Sequence, residues 1–482
     1  MEEQQTPSAP AAAPAKGKGM WIGIVVVAIV IIILLAAVFG GLFGPPEEQV
    51  LKVGTVLSIT GGLSPFGPGN KQGVIMAFEE INAAGGVLGR PVELFHQNDD
   101  TKPETARSAA TTLISQNHVD AIIGATGSGQ CQVVIDVAKS NSVFEISGSC
   151  TSVIFANLTL TGGWWARTAP PDLYQSVVAA SYASQNLSLM RAAVIGINNA
   201  YGVGLAELFA EHFVRLGAPN AAITPGSPVI VTEVQFGATD YTTDLETALD
   251  TTPPPEIVYI VAYPADGVQM MKDFERGKAT HAGWANVKLL FSEGLYDSAF
   301  KNPLHDPPNN FDTTAYEGTA PSSFGGIHEP LYDQWSARFN TRWGEDAFLF
   351  DDNNYDAAYL VALAAQKAGV ATGQAIKDNI FAVANPPGTV INPGEWAKAL
   401  TEIAAGNDIN YEGASGAADI DDLGDSLSGY IVWAVNATNA FVNKEVFSET
   451  LVVSLLPAPP APVPALRDSE ITWNPLVRAE DR

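Results

Sequence analysis

The chain has 482 residues and carries 25 Lys and Arg against 52 Asp and Glu, which gives a formal net charge of −27. This excess of negative charge argues against nucleic acid as a partner, because the phosphate backbone is itself anionic. With 46% hydrophobic and only 16% charged residues, the composition excludes an acidic disordered chain, and the length favours two lobes over one.

The first predicted element is a membrane anchor at 21–43. This run is uncharged and, as a helix, would be roughly 34 Å long, which is enough to cross a bilayer. Lys16 and Lys18 precede it, whereas Glu47 and Glu48 follow it. Because positive flanks stay inside, we predict a cytoplasmic segment at 1–20 and an extracytoplasmic main domain. A cleaved signal peptide is the alternative, although the run is long for one and contains no Cys for lipid attachment.

Beyond residue 51, short apolar runs alternate with amphipathic segments, which predicts βαβ units and a largely parallel sheet. The strands of a first series are predicted at 51–58, 91–97, 119–123 and 142–146. A helix with Val74, Phe78 and Ile81 on its buried face lies between the first two strands. Pro103 begins a second helix, which runs to about Gln116.

A second series starts after Pro170 and Pro171, with strands predicted at 191–197, 228–236, 256–261 and 287–291. Residues 330–370 are predicted to be mostly helical, and 429–435 and 440–446 to form a hairpin. Two doubly wound α/β lobes account for both series better than one. Lobe 1 is predicted to comprise 51–170 and 297–408, lobe 2 to comprise 171–296 and 409–450, and the Pro-rich tail to comprise 456–482.

The sequence contains no convincing enzyme signature. Gly424-Asp425-Ser426-Leu427 spells the motif of one esterase family, but the last histidine, His328, lies upstream of the serine, so a polar turn is the better interpretation. The six histidines include no HExxH motif, and the glycines at 124–129 are followed by no lysine. We therefore predict a protein that is not an enzyme, with no catalytic residue, metal or cofactor.

Polar side chains follow five predicted strands, at the level where open α/β sheets bind ligands. Each one alone is usually a cap or a turn residue, but a series of them at one sheet edge favours a binding site. Ser128 comes where a helix should begin, so its hydroxyl and the adjacent N–H groups could receive an anion. The candidates are Ser128, Ser149, Thr151, Tyr201, Tyr263 and Glu293.

The order of these motifs resembles the type I periplasmic binding proteins, in particular their Leu/Ile/Val-binding branch. The most distinctive stretch is EINAAGG at 80–86 followed by LGRPVEL at 88–94 and Asp99-Asp100, and the resemblance extends over roughly 51–455. It implies two lobes joined by a hinge of three crossings. The departures from the family pattern are the anchor, an insertion near 386–410 and the Pro-rich tail.

The resemblance also implies roles for individual residues. Ser128, Ser149 and Thr151 look like the holders of a ligand's α-carboxylate and α-amino group. Tyr201, Tyr263 and Glu293 resemble the contacts from the second lobe, with Glu293 as the acid that pairs the ammonium. Phe66 takes the place of an aromatic residue that lines the side-chain pocket.

The resemblance also implies that Cys131 and Cys150 begin neighbouring loops at one sheet edge. Because an extracytoplasmic compartment is oxidising, we predict a disulfide between them. Two buried free thiols are the alternative.

Together these features predict an anchored extracytoplasmic protein that captures an amino acid, branched-chain or related, between closing lobes and delivers it to an ABC importer. The alternative is the ectodomain of a ligand-sensing receptor. Because the predicted cytoplasmic segment has only about 20 residues, such a receptor would need a partner subunit to produce a signal.

Overall fold

The computed structural model describes residues 49–217, 229–322 and 329–457. The predicted cytoplasmic segment, the predicted anchor at 21–43 and nearly all of the predicted tail lie outside these ranges and stay predictions. Within the described ranges, no helix is both long and apolar enough to cross a membrane.

The first sheet has five parallel strands in the order β2-β1-β3-β4-β5. Four of them confirm the first predicted series to within a few residues, because buried parallel strands are the apolar runs that the sequence displays. The strands are β1 (Lys52–Leu57), β2 (Glu93–Asn98), β3 (Ala121–Gly124), β4 (Phe144–Ser147) and β5 (Trp165–Arg167).

The helices between these strands are α1 (Gly67–Ala83), α2 (Pro103–Ser115), α3 (Ser128–Ser140) and the short α4 (Leu158–Thr161). As their spacing predicts, Val74, Phe78 and Ile81 are buried on one face of α1. Helices α2 and α3 bury their apolar residues in a separate cluster with Ile122 and Trp165. The first sheet is therefore covered on both faces, as parallel sheets require.

The second sheet begins with five parallel strands, of which the first four confirm the second predicted series and the fifth, β10, was not predicted. These are β6 (Ala192–Ile197), β7 (Val229–Val234), β8 (Ile257–Val261), β9 (Lys288–Phe291) and β10 (Glu317–Ser322). The helices of this part of the chain are α5 (Asp172–Ser181), α6 (Gly202–Gly217), α7 (Thr242–Leu249), α8 (Pro264–Gly277) and α9 (Ser298–His305).

After the second sheet the chain returns to the first. The predicted helical region consists of α10 (Glu329–Trp343) and α11 (Asp351–Ala368), and α12 (Gly373–Ala384) follows. Tyr332, Trp335 and Phe339 are buried on one face of α10. The predicted insertion contains β11 (Thr389–Ile391), α13 (Trp396–Ala404) and β12 (Ile409–Tyr411). Its buried apolar residues join the cluster that α1 and α11 form on the first sheet.

The chain then returns to the second sheet as the predicted hairpin, β13 (Gly429–Val435) and β14 (Phe441–Phe447), followed by α14 (Glu449–Leu455). Strand β13 pairs antiparallel with β10, so the order is β14-β13-β10-β9-β8-β6-β7. The described chain thus passes between the two sheets three times, after β5, after β10 and before β13. We call the elements packed on the first sheet the first lobe and those on the second sheet the second lobe.

The observed packing differs from the predicted lobe boundaries at two places. Residues 297–322 were assigned by the prediction to lobe 1, but β10 belongs to the second sheet and Phe300 and Leu304 are buried in the cluster on that sheet. Conversely, Ile409 and Tyr411, predicted in lobe 2, pack with the first sheet, because β12 pairs with β11 there.

One buried charge stands out within the first lobe. Glu145 in β4 is fully buried and shares a face of the sheet with Ile122 and Trp165, its register neighbours. Neither carboxylate oxygen makes a hydrogen bond with any described residue. Burial, with a smaller contribution from the Asp136 charge, raises the pKa of Glu145 well above its ordinary value of 4.5. The group is therefore neutral in the folded protein at mildly acidic pH.

We expect Glu145→Gln to stabilise the fold at alkaline pH. A raised folded-state pKa contributes stability that is complete below the unfolded value and is lost as the pH rises toward the folded value. The unfolding free energy of the variant should exceed that of the wild type by about 1 kcal/mol or more at pH 8 and match it near pH 4. Urea denaturation measures both, with the exposed Glu93→Gln of β2 as the control. A variant less stable than the wild type at pH 8 would contradict this account.

Candidate ligand-binding site

A cavity lies between the two sheets, at the carboxyl ends of their parallel strands. All seven residues that the sequence nominates line it, namely Phe66, Ser128, Ser149, Thr151, Tyr201, Tyr263 and Glu293. It contains ≈ 350 Å³ of space not occupied by atoms, part of it open to solvent.

The first-lobe wall begins at the N-terminus of α3. Ser128 is the first residue of that helix and is almost completely buried. The first turn of a helix has N–H groups without helical partners, so this wall offers donors to an anion. Gly127 precedes the helix, and a Cβ there would lie 2.7 Å from Leu63 Cδ1 and 3.3 Å from the Tyr263 hydroxyl. A side chain at this position would crowd both walls, so glycine favours their close approach.

The loop after β4 completes the first-lobe wall. The Ser149 hydroxyl lies 3.2 and 3.0 Å from the carbonyls of Ala125 and Thr126, so the loop is tied to the end of β3. The Ser152 N–H donates to Ser128 Oγ at 3.3 Å. Thr151, between these contacts, accepts at its carbonyl from the Asp172 N–H at 2.8 Å. Three hydroxyls from two strand ends are thereby held within one wall.

The second-lobe wall consists of two tyrosines and a carboxylate. The rings of Tyr201 and Tyr263 are stacked, with centroids 5.5 Å apart and planes 5° from parallel. The Tyr201 hydroxyl donates to Ser292 Oγ at 2.8 Å, beside Glu293. Glu293 begins a 3₁₀ turn directly after β9 and is only 3% exposed.

Between these polar walls the cavity is apolar. Leu63 and Phe66, from the first loop of the chain, are buried in the same hydrophobic cluster as the second-lobe residues. Leu349 and Phe350 line the cavity from the segment that precedes α11. The only ionisable side chains among the lining residues are Glu293 and the two tyrosines. The site therefore provides hydroxyls, N–H groups and one carboxylate around an apolar pocket.

Burial raises the pKa of Glu293 to about 7, although the nearby Tyr201 hydroxyl and Gln175 amide favour its ionised form. A second acid, Asp172, is fully buried behind Thr151, and burial together with the charge of Glu293 raises its pKa well above the ordinary value. Glu293 Oε2 makes no hydrogen bond with any described residue. The nearby Thr151 hydroxyl and the Arg167 charge favour the ionised form of Asp172 but do not offset its burial. Two buried acids therefore lie near each other at the cleft, and the charge of Glu293 disfavours the ionised form of Asp172.

The two lobes are in contact across the cleft. Ser152 Oγ, from the loop after β4, donates to the carbonyl of Ala200, which precedes Tyr201 in the second lobe, at 2.6 Å. Together with the burial of Leu63 and Phe66 in the second-lobe cluster, this contact describes a closed arrangement of the site.

The predicted cysteine pair lies beside the first-lobe wall. The sulfur atoms of Cys131 and Cys150 are at bonding distance, 1.96 Å apart. Cys131 lies in the first turn of α3 and Cys150 lies next to Thr151. A bond here would fasten the two hydroxyl-bearing segments to each other.

Sequence patterns did not identify every residue of this site. Leu349 and Phe350 lie inside a region predicted as mostly helical, but α11 begins only at Asp351 and Phe350 has φ of +70°. Asp172 is the first residue of α5, where an acid usually serves as an exposed partner of the helix dipole. The strand-end rule finds residues that directly follow strands, and these three do not.

Among the described residues, no group of His, Cys, Asp and Glu could hold a metal ion. The structure also contains larger cavities, one beside the crossings, between Tyr296, Tyr332 and Ser428, and one under the second sheet, between Phe274, Trp284 and Glu317. Neither contains a residue that the sequence nominates. The cavity at the strand ends is the best candidate, since convergent polar groups and perturbed carboxylates mark functional sites.

The sequence profile of the periplasmic binding protein family matches residues 50–423. The chain is 25% identical over 392 residues to the chemotactic signal transduction system substrate-binding protein BasB of Halobacterium salinarum, which covers 80% of this chain and 86% of that protein. It is 28% identical over 264 residues to the Leu/Ile/Val-binding protein BraC3 of Rhizobium johnstonii, covering 54% of this chain and 65% of that protein.

Solved structures with the same fold include the leucine-binding protein LivK from Thermotoga maritima, with a TM-score of 0.65 and 22% identity over 83% of this chain and 99% of that one. LivJ from Streptococcus pneumoniae, in complex with isoleucine, has a TM-score of 0.63 and 18% identity over the same shares. A solute-binding protein of an ABC transporter from Rhodopseudomonas palustris, in complex with 3,4-dihydroxy benzoic acid, has a TM-score of 0.62 and 17% identity over 84% and 98%. At sequence identities of 22% or less, these comparisons establish only that the fold is shared.

Proposed function

Because the chain belongs to the periplasmic binding protein family, we propose that it captures an amino acid between its two lobes and delivers it to an ABC importer. Ser128, Ser149 and Thr151 receive the α-carboxylate, with help from the N–H groups of α3. Glu293 pairs the α-ammonium, and Tyr201 and Tyr263 close the site from the second lobe. Capture consists of binding and closure, without chemistry on the ligand.

The observation that carries this proposal is the buried carboxylate of Glu293, with Oε2 unpaired opposite a wall of hydroxyls. A zwitterion satisfies both walls at once, since its carboxylate meets the donors and its ammonium meets the acid. A simple carboxylic acid would bring a second negative charge beside Glu293, which is costly in a desolvated cleft.

The side chain of the ligand is proposed to be apolar. Leu63, Phe66, Leu349 and Phe350 form the part of the cavity that is not occupied by polar walls, and they offer no group to pair a charged side chain. This apolar lining matches an aliphatic side chain such as that of leucine. The names of BraC3 and LivK, and the isoleucine bound by LivJ, agree with this ligand class.

We further propose that the binding domain works outside the cytoplasm, attached to the membrane by residues 21–43. The uncharged run and its flanking charges support the anchor, and the paired cysteines fit an oxidising compartment. Proteolysis of intact cells tests this, because an anchored extracytoplasmic domain is released from the surface.

A receptor role is the second candidate, and the similarity to BasB supports it, since that protein is named for a chemotactic signal transduction system. Transport and sensing would use the same binding site and the same closure of the lobes. They differ in the membrane partner that binds the closed form. Co-purification of the membrane-bound chain with permease subunits would favour transport, and co-purification with a transducer would favour sensing.

We expect Glu293→Ala to weaken leucine binding by two to four decades. The variant leaves the ligand ammonium unpaired in a closed cleft, which costs roughly 3 to 5 kcal/mol. Isothermal titration calorimetry of residues 49–457 with leucine measures the change. Glu317→Ala is the matched control, because Glu317 lies in the second sheet and bonds to Tyr182, away from the cavity. Equal affinity of wild type and Glu293→Ala would refute the proposed role.

We also expect leucine affinity to fall as the pH falls. Only the ionised carboxylate pairs the ammonium, and the pKa of Glu293 is raised to about 7, so protonation removes the binding-competent form below that pH. The dissociation constant should rise about tenfold between pH 8 and pH 6, in proportion to the ionised fraction. Titrations at three pH values measure this, and Glu293→Gln should flatten the profile. A wild-type affinity independent of pH would speak against the proposal.

A further inference from the structure

One arginine connects the ligand-binding loop to a crossing between the lobes. Arg167, the last residue of β5, is completely buried. Its Nε donates to Asp425 Oδ1 at 2.7 Å, and its Nη2 lies 2.7 Å from the same oxygen. Its Nη1 donates to the carbonyls of Cys150 and Ser152, at 3.2 and 2.8 Å.

The two carbonyls that Arg167 holds lie on either side of Thr151. Thr151 faces the cavity, and Ser152 makes the hydrogen bond to Ala200 that joins the lobes. A single guanidinium therefore fixes the backbone of a segment that carries one proposed ligand contact and one contact for closure. The planar fork of an arginine can serve several acceptors at once, which a lysine cannot reproduce.

Asp425, which accepts the hydrogen bond from Arg167 Nε, belongs to the segment that crosses from the first lobe to β13. Two further bonds join this crossing to the crossing after β5. The Arg167 N–H donates to the carbonyl of Gly424 at 2.8 Å, and Ser426 Oγ donates to the carbonyl of Thr168 at 2.9 Å. The motif at 424–427, predicted as a polar turn, is thus part of the hinge, with Asp425 only 8% exposed.

Stability alone does not account for this arrangement. A buried ion pair is about as stable as well-packed apolar residues of the same volume, because desolvation offsets the attraction. What the pair provides is geometry, namely three directed contacts that relate the loop at 150–152 to the crossing at 424–426.

We infer that Arg167, held by Asp425, is a positioning residue that couples the ligand contact at Thr151 to the crossing between the lobes. Neither residue lines the cavity. Their role is to keep the Thr151 segment in the orientation that meets both the ligand and the second lobe. The inference rests on the proposed function in that an amino acid is the probe for its test.

The test is leucine binding by Asp425→Asn and Arg167→Lys in the full-length chain, with stopped-flow dissociation rates beside calorimetric affinities. Asn keeps the shape of Asp425 without its charge, and Lys keeps the charge of Arg167 without its fork. We expect each variant to bind leucine about tenfold more weakly, chiefly through faster dissociation. Asp356→Asn is the matched control, since Asp356 is a buried acid that bonds to Tyr411 and Ser415. It should lower the melting temperature without changing the dissociation rate by more than about twofold.

Wild-type dissociation rates in both variants would overturn the inference, whatever their stability. If the wild type binds no amino acid, the proposed function fails instead, and the two failures are thereby distinguished. Should neither variant fold, hydrogen exchange of the wild type decides. Leucine should slow the exchange of the N–H groups of Leu423 and Asp425, which donate to Asp421 Oδ1 in the crossing. Unchanged exchange there would equally overturn the coupling.

Discussion

The buried carboxylate of Glu293 is the constraint on which the site depends. A carboxylate that leaves water needs a partner of opposite charge or must be protonated, and here burial raises its pKa to about 7 while Oε2 finds no partner among the described residues. Asp172 adds a second acid to the same region. We propose that the ammonium of a bound amino acid pairs Glu293 in the closed cleft.

The topology of the two sheets explains why hydrogen-bond donors lie on the wall of the cavity opposite Glu293. Parallel strands of both sheets end at the cleft, so loops and helix N-termini from the two lobes face each other there. Gly127 permits the first-lobe wall to approach Tyr263, and Arg167 holds the loop that carries Thr151. Donors are thus fixed on one side and the acid on the other, which reduces the ordering that binding must accomplish.

Much of this arrangement follows from the sequence, because apolar runs locate parallel strands and the residues after them locate the sheet edge. Ser128, Ser149, Thr151, Tyr201, Tyr263 and Glu293 were found in this way and line one cavity. Contacts between distant segments left no such signal. Nothing local pairs Arg167 with Asp425, or assigns β10 to the second sheet through its pairing with β9 and β13. These depend on which surfaces meet, a property of the whole fold.

The most direct test of the amino-acid assignment compares three ligands that share one side chain. Calorimetry of residues 49–457 with leucine, with 4-methylpentanoate, which lacks the ammonium, and with 3-methylbutylamine, which lacks the carboxylate, separates the two polar walls. The account predicts that leucine binds at least a hundredfold more tightly than either analogue, because each leaves one wall unpaired. If 4-methylpentanoate binds as tightly as leucine, Glu293 does not recognise an ammonium and the assignment is contradicted.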